Sequence, residues 1–283
     1  MMVKNMNRFF LIMLLSFNCG IVFSQTTYKQ TRIPLDNQKG VPFSKISGFY
    51  DVDGFEIDSK GNFYFSAGEN GTIAVFNGDK PIYRKSYSEF YYEQLYIFNN
   101  RLFVFNSYAL GNRRYKNNLF ELSLANETIL KKRSIAGINW IDSYFFRDTC
   151  LIIDTSTVKN NNYLTTHLQY DLSGKFVKEL RSNIYNLPFD THDRIGQFLG
   201  KWNGNYLFWK WDDDHDLYKF SLYNSSGVCT DQKNISSKLF GKVFYEDRDE
   251  NRKLRNGSIF ILGRDGKYAL VTQIPVKELF INK

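Results

Sequence analysis

Four short β-rich runs separated by turn residues recur as a unit along this 283-residue chain, and the first copy is the clearest. Its runs occupy residues 55–58, 63–66, 72–76 and 81–84. The segments between them contain Gly, Asn and Asp, which favour tight turns, so consecutive runs are predicted to pair as an antiparallel meander. Meanders repeated at a period of roughly 40–50 residues are typical of a β-propeller.

Three further complete copies and one shorter copy follow. Their predicted strands are 94–98, 101–106, 118–124 and 128–133; 140–146, 150–154, 164–171 and 175–180; 197–202, 206–211, 216–222 and 228–231; and 238–246, 258–262 and 268–272. The last copy lacks a fourth strand, so residues 28–35 or, alternatively, 274–281 are predicted to complete its sheet and hide its edge. We therefore predict an all-β fold, a single β-propeller of five four-stranded antiparallel blades in residues 25–283. Six blades are the alternative at ~45 residues per blade, and a β-sandwich explains the repeated template less well.

Residues 1–24 are predicted to be a cleaved signal peptide. Lys4 and Arg8 form a basic segment, residues 9–23 are largely apolar, and Val22 and Ser24 are small enough for cleavage after Ser24. The interrupted apolar stretch is shorter than the ~20 residues that span a bilayer, which argues against a membrane anchor. We expect a secreted or periplasmic protein of the cell envelope, with no membrane span after signal cleavage.

Charge and cysteine content narrow the classes of partner. The net charge is +8, but acidic and basic residues are mixed along the chain. That mixture is typical of a solvated surface and argues against nucleic acid as a partner. Cys150 and Cys229 fall in different predicted blades, and we expect two buried free thiols. We also expect a monomer.

The first blade resembles known propeller families. An apolar strand ending in Asp58, a Gly61-Asn62 turn and an aromatic strand at 63–65 resemble the repeat of NHL-type and related six-bladed propellers. The Asp53-Gly54 step is similar to the start of the first blade in gluconolactonase-like propellers, where an acidic residue is a metal ligand. This second resemblance implies a calcium-dependent hydrolase or lactonase, with Asp53 as a metal ligand near the central axis.

Two polar clusters are candidates for chemistry. Asp212, Asp214 and Asp216 alternate in sequence, so their oxygens could bind one calcium ion; the alternative is a solvated hairpin turn. His192 lies between Asp190 and Asp193 in a predicted loop, where it could act in acid–base chemistry. The alternative for His192 is an ordinary loop histidine hydrogen-bonded to a neighbouring carboxylate.

One rim of the predicted ring carries aromatic and charged residues. Loops that join the second and third strands of each blade share a face with the loops between blades. The predicted ligand-binding rim residues on that face are Tyr92, Tyr108, Arg113, Arg114, Lys116, Tyr185 and His192. Tyr and Arg are enriched at binding hot spots. We therefore predict an exported, non-enzymatic binding module for a protein, peptide or glycan, which needs no cofactor; the alternatives are the calcium-dependent hydrolase and a cell-envelope scaffold.

Overall fold

The protein is a five-bladed β-propeller. The computed structural model describes residues 28–34, 44–46, 49–52, 54–67, 71–88, 90, 94–111, 114–125, 128–138, 141–159, 162–180, 187–189, 195–243, 251–266 and 268–280. In these ranges the chain forms five four-stranded antiparallel blades arranged in a ring. The predicted fold class and the blade count of five are confirmed.

The strands follow the repeat along the chain. Strand β1 (Lys29–Pro34) precedes a small hairpin of β2 (Ser44–Ile46) and β3 (Phe49–Asp51). Blade 1 contains β4 (Gly54–Ile57), β5 (Asn62–Ala67), β6 (Thr72–Asn77) and β7 (Lys80–Ser86). Blade 2 contains β8 (Gln94–Phe98), β9 (Arg101–Gly111), β10 (Arg114–Ser123) and β11 (Ile129–Ile135). Blade 3 contains β12 (Ser143–Arg147), β13 (Cys150–Lys159), β14 (Asn162–Asp171) and β15 (Phe176–Leu180). Blade 4 contains β16 (Gln197–Trp202), β17 (Asn205–Asp212), β18 (Leu217–Tyr223) and β19 (Cys229–Ser236).

Blade 5 is built from both ends of the described chain. It contains β20 (Lys242–Val243), β21 (Arg252–Arg255), β22 (Ser258–Asp265) and β23 (Tyr268–Pro275), with β1 as its outer strand. Strand β1 pairs antiparallel with β23 over six positions, from Lys29 opposite Gln273 to Pro34 opposite Tyr268. The prediction that residues 28–35 complete this sheet is confirmed. The alternative segment, 274–281, ends β23 and then forms the short helix α1 (Val276–Phe280) instead.

Apolar side chains fill the junctions between blades. Ile33 of β1 is fully buried together with Phe55 and Phe65 of blade 1 and Leu262 and Val271 of blade 5. Comparable clusters join blades 1 and 2, blades 2 and 3, and blades 4 and 5. Because each sheet carries apolar residues on both faces, the blades bury them only by packing side by side.

The inner strand of blade 5 differs from the prediction. A continuous strand at 238–246 was expected, but residues Ser237–Phe240 form a 3-10 turn, and β20 and β21 form two separate pieces that both pair with β22. The turn residues Asn256 and Gly257, with φ of 48° and 70°, place Arg255 opposite Ser258. Asn-Gly at two positive-φ positions is the strongest hairpin signal in a sequence, and it fixes β21 where no strand was predicted.

The two cysteines within the described residues are free thiols, but neither is buried as expected. Cys150 is half-buried and Cys229 is exposed. Cys229 begins β19, the outer strand of blade 4, and an outer strand has a neighbour on one side only. No helix within the described ranges is long and apolar enough to cross a membrane.

Closure of the ring by β1 predicts a large effect at Ile33. We expect Ile33→Ala to lower the free energy of unfolding by ~2–5 kcal/mol, because it leaves a cavity in a fully buried site. The control is Arg32→Ala on the same strand, whose exposed ion pair with Asp265 contributes at most ~1 kcal/mol. Urea unfolding measures both values, and equal effects of the two substitutions would contradict docking of β1.

Candidate functional site

A cavity of about 500 Å³ lies at the centre of the ring. Its described walls come from the inner strands of four blades, β8, β12, β16 and β21, and it extends to the turn residues Asp148, Asn256 and Gly257. Those turns join the first strand of a blade to the second. In an antiparallel blade these turns lie at the opposite end from the hairpins between the second and third strands. Because the lining also includes Gln94, at the start of β8, and Leu187, between blades 3 and 4, the cavity runs along the axis and reaches the end of the ring opposite to those hairpins.

Tight turns connect the inner strands to the second strands at one end of the ring. Two-residue turns with positive φ at both positions occur at Asn99 and Asn100, Asn203 and Gly204, and Asn256 and Gly257. They connect inner strands to second strands in blades 2, 4 and 5. This turn type matches the twist of the flanking strands, so the inner strands end at well-defined positions around the cavity.

A β-bulge in β16 decides where its aromatic residues point. The register of β16 against β17 shifts between Phe198 and Gly200. Phe198 packs against the core of blade 4, whereas Trp202 packs against the core between blades 4 and 5. Gly200 has φ +153°, and a Cβ there would lie 2.9 Å from Leu254 Cδ2. The bulge therefore needs glycine, and it lets Phe198 and Trp202 line the same cavity from opposite sides of one strand.

Aromatic rings form much of the apolar lining. The rings of Tyr96 and Phe146 stack with centroids 5.2 Å apart and an interplanar angle of 4°. Phe146, Phe198 and Trp202 are each half-buried. Each is held by a packed core on one side, so the rings that face the cavity have fixed orientations.

Cations predominate among the charged residues of the described cavity wall. The cationic residues are Arg147, Lys201, Arg252, Lys253 and Arg255, and the acidic residue is Asp148. The Arg147 guanidinium lies 4.6 Å from the centroid of the Phe198 ring, which connects blade 3 to blade 4. Arg252 is buried, with its guanidinium 3.5 Å from the centroid of a Trp209 ring. Stacking of this kind stabilises a guanidinium that is partly removed from water.

Half-buried Arg255 forms an ion pair with the buried Glu56 of the neighbouring blade. Arg255 Nε donates to Glu56 Oε1 at 3.0 Å, and Nη2 donates to Oε2 at 2.8 Å. The Glu56 side chain is fully buried, and its Oε1 also accepts from the Ile57 backbone N–H. Burial alone would lower the pKa of Arg255, but Glu56 raises it. This bidentate pair joins blade 1 to blade 5 and neutralises one cation of the wall.

Tyr96 connects blade 2 to the same centre. Its hydroxyl donates to the backbone carbonyl of Asp148, in the first turn of blade 3. Its ring lies 5.6 Å from the Arg255 guanidinium. Burial raises the pKa of Tyr96 to about 12, an effect that the nearby Arg255 only partly offsets. The phenol is therefore a neutral hydrogen-bond donor at physiological pH.

Part of the predicted rim lies on a long hairpin in blade 2. Strands β9 and β10 are 11 and 10 residues long, whereas β5 and β6 of blade 1 have 6 each. Tyr108 and Lys116 lie directly opposite each other in this long hairpin, and the Lys116 ammonium is 5.8 Å from the Tyr108 ring centroid. Arg114 is the first residue of β10. The other candidates, Tyr92, Arg113, Tyr185 and His192, lie outside the described residues.

The predicted acidic metal ligands have separate partners. Asp212 Oδ1 accepts from His215 Nδ1 at 3.0 Å, and Asp212 Oδ2 lies 3.8 Å from Lys219 Nζ. The hydrogen bond from His215 lowers the pKa of Asp212. Asp216 accepts from the Ser237 hydroxyl, and Asp214 is exposed in a 3-10 turn. In the described parts of the chain, no three His, Cys, Asp or Glu side chains converge as metal ligands; Asp53 lies outside those parts.

The cavity residues were not among the sequence-predicted candidates. The signals that locate them are the turns at Asn203-Gly204 and Asn256-Gly257, which mark the ends of two inner strands. The positions just before such a turn, Trp202 and Arg255, face the central axis in this ring.

Comparison with known proteins shows likeness at the level of solved structures only. No protein-family model matches the chain, and no curated protein matches it. A subtype N10 neuraminidase-like protein of A/little yellow-shouldered bat/Guatemala/060/2010 aligns at 10% identity with a TM-score of 0.34, covering 75% of this chain and 76% of that one. KlHsv2 with loop 6CD replaced by a Gly-Ser linker aligns at 6% identity with a TM-score of 0.37, covering 75% and 74%. Alignments at this level carry no argument about function.

Tyr96→Phe tests the buried phenol. Loss of the hydrogen bond to Asp148 is expected to lower the free energy of unfolding by ~1 kcal/mol at neutral pH. In the wild type an unfolded phenol ionises near pH 10.0 while folded Tyr96 ionises near pH 12. The contribution of Tyr96 is therefore fully present below pH 10 and is lost as the pH rises towards 12.

The wild type loses the stabilising contribution of Tyr96 above pH 10, whereas Tyr96→Phe has no phenol to ionise at this position. The difference in the free energy of unfolding between wild type and variant should therefore shrink above pH 10. Urea unfolding across that pH range measures it, with the exposed Tyr28 replaced by Phe as the control. An unchanged difference at all pH values would show that the Tyr96 phenol is not buried as described.

The hypothesis that Asp212, Asp214 and Asp216 bind calcium is tested by a thermal melt with calcium and with chelator. Because Asp212 and Asp216 are held by different partners, we expect the same Tm in both conditions, and no change with Asp214→Ala. A calcium-dependent rise of several degrees that disappears in Asp214→Ala would establish a metal site instead.

Proposed function

We propose that this protein is an exported, non-enzymatic binding module that holds a small ligand in its central cavity. The observation that carries the proposal is the convergence of aromatic rings and cations from four blades on one cavity. Its volume of about 500 Å³ lies within the ~300–1,000 Å³ typical of small-ligand sites. Export rests on the predicted signal peptide, and the NHL-type resemblance of blade 1 adds a fold rather than an activity.

The construction of the wall supports a role in binding. The half-buried rings of Phe146, Phe198 and Trp202 present surfaces held by the cores behind them. The Arg147 guanidinium is stacked on Phe198, which limits its freedom before a ligand arrives. Groups that are ordered in advance lose less conformational entropy on binding, so more of their interaction energy appears as affinity.

The rim is a second candidate surface, for a protein or peptide partner. The long hairpins of blades 2 and 3 favour it, since β13 and β14 have 10 residues each and match β9 and β10 in length. Leu110 and Leu164, near the hairpin ends of blades 2 and 3, are each 55% exposed, and Lys116 is exposed on the strand that pairs with that of Leu110. Apolar side chains exposed on projecting hairpins offer surface that a macromolecular partner could cover.

The calcium-dependent hydrolase or lactonase stays the alternative function. It requires Asp53, which lies outside the described residues, as a ligand near the axis. The calcium melt described above tests its first requirement, because such an enzyme must bind the ion before it can act.

A ligand screen by thermal shift separates these surfaces. Neutral and acidic mono- and disaccharides, with short peptides of either charge, are added to the protein. A cavity ligand at about a hundred times its Kd stabilises the folded state by ~2.7 kcal/mol, which raises Tm by several degrees. We expect Trp202→Ala to abolish the shift and Trp202→Phe, which keeps an aromatic ring, to retain part of it.

The matched control is the triple substitution of Arg113, Arg114 and Lys116 by Ala at the rim. It should leave the shift unchanged. A shift that survives Trp202→Ala but is lost in the triple variant would move the binding site to the rim, and a protein that no probe stabilises would contradict a small-ligand site.

A further inference from the structure

The charges of the cavity are not balanced within its described walls. Lys253 is half-buried and Lys201 is exposed at the cavity. Among the residues that the structure describes, no carboxylate lies within ion-pair distance of either ammonium. By contrast, the charge of Arg255 is met by Glu56. Lysines 201 and 253 therefore leave a positive potential in a concave site, where the low-dielectric walls strengthen it.

Two aromatic residues line the same cavity as these lysines, and a third ring, outside the lining, contacts Lys201. Lys201 directly precedes Trp202 in β16, and its ammonium is 5.1 Å from the Tyr206 ring centroid. Phe198 lies earlier on the same strand, and both Phe198 and Trp202 line the cavity. Aromatic faces carry negative electrostatic potential, and the C–H groups on one face of a pyranose ring are weakly positive. A sugar ring can thus pack on these faces while an anionic substituent reaches a lysine.

We propose that the cavity binds an acidic sugar, a pyranose ring that carries an anionic group. The ring packs on Trp202 or Phe198, and Lys253 and Lys201 bind the anion. This inference rests on the proposed function, since it names the class of ligand for the same cavity. Asp148, at the edge of the cavity, is the acidic residue that an anion would have to avoid. The anion is therefore expected on the side of blades 4 and 5.

The charge of the cavity favours an acidic sugar over a neutral one. A neutral sugar that covered the half-buried Lys253 would leave its ammonium group partly desolvated and without a counter-charge, which is unfavourable. An anion makes charge-assisted hydrogen bonds that are roughly twice as strong as neutral ones. The anionic group can be a carboxylate, as in a uronic acid, or a phosphate, as in a sugar phosphate, and both offer the same oxygen acceptors.

Isothermal titration of the protein with D-glucuronate, D-glucose 6-phosphate and D-glucose tests the proposal. We expect glucuronate or glucose 6-phosphate to bind at least about tenfold more tightly than glucose, as a hydrogen bond to a charged group implies. The tighter of the two identifies the source of the anion. Affinity for the acidic sugar should fall as salt is added, because the ammonium groups lie in an open site.

Four variants connect that affinity to the cavity. Lys253→Ala, or Lys201→Ala if the first variant is poorly folded, should weaken binding of the acidic sugar about tenfold and leave glucose unaffected. Lys178→Ala, on the exposed outer strand β15, removes the same charge away from the cavity and should have no effect. Trp202→Ala should weaken acidic and neutral sugars alike.

Different experimental outcomes would overturn the acidic-sugar assignment and the proposed small-ligand site. Equal affinity for glucose and both acidic sugars, or no loss in Lys253→Ala and Lys201→Ala, would overturn the acidic-sugar assignment. If neutral sugars or peptides then bind in a Trp202-dependent way, the cavity is still the binding site. Absence of binding by all three sugars would also overturn the assignment, whereas dependence on Arg113, Arg114 and Lys116 would place the site on the rim.

Discussion

The ring depends on a closure in which the two ends of the described chain share one blade. Strand β1 pairs with β23 over six positions, so β23 has a neighbour on both sides. Ile33 fills the apolar core at the junction of blades 5 and 1, and the Glu56–Arg255 pair holds the same junction at the axis. Three interactions therefore hold blades 5 and 1 together: the strand pairing of β1 at the outer edge, the apolar core in the middle and the ion pair near the axis. A charge left buried without its partner is strongly destabilising, so the pair fixes how blades 5 and 1 meet.

The two ends of the ring are built differently in the described blades. Two-residue turns such as Asn203-Gly204 end the inner strands on the cavity side. On the other side, the hairpins of blades 2 and 3 extend to Gly111 and Lys159. Tight turns order the backbone around a small concave site, whereas long hairpins expose extended surface. The proposed small-ligand site and the proposed surface for a larger partner thus use different parts of one scaffold, the inner strands and the long hairpins.

Local sequence signals predicted much of the fold and little of the candidate site. Each strand of blade 1 was placed within a few residues, because Gly61, Gly71 and Gly78 interrupt alternating apolar runs. The strands that form the long hairpins of blades 2 and 3 were predicted too short. Their ends next to the hairpin turn extend beyond the apolar core, and there the hydrophobic pattern gives no signal of a strand. The cavity could not be found this way. Its wall combines residues from blades 2 to 5, and the bulge before Gly200 changes which way β16 side chains point.

The inner strands themselves show where binding and stability are connected. Strand β4 is buried along its whole length, whereas β12 and β16 are half-buried at most positions. The rings of Phe146, Phe198 and Trp202 line an open cavity. Each Å² of their apolar surface that a ligand covers contributes ~25 cal/mol to the free energy of binding. The Arg147–Phe198 contact crosses from blade 3 to blade 4 at this place. The inner strands at this junction, β12 and β16, bury less surface than β4 of blade 1 does. A ligand that covers these rings would therefore add contacts where the inner strands have fewer of their own, and would stabilise the junction of blades 3 and 4.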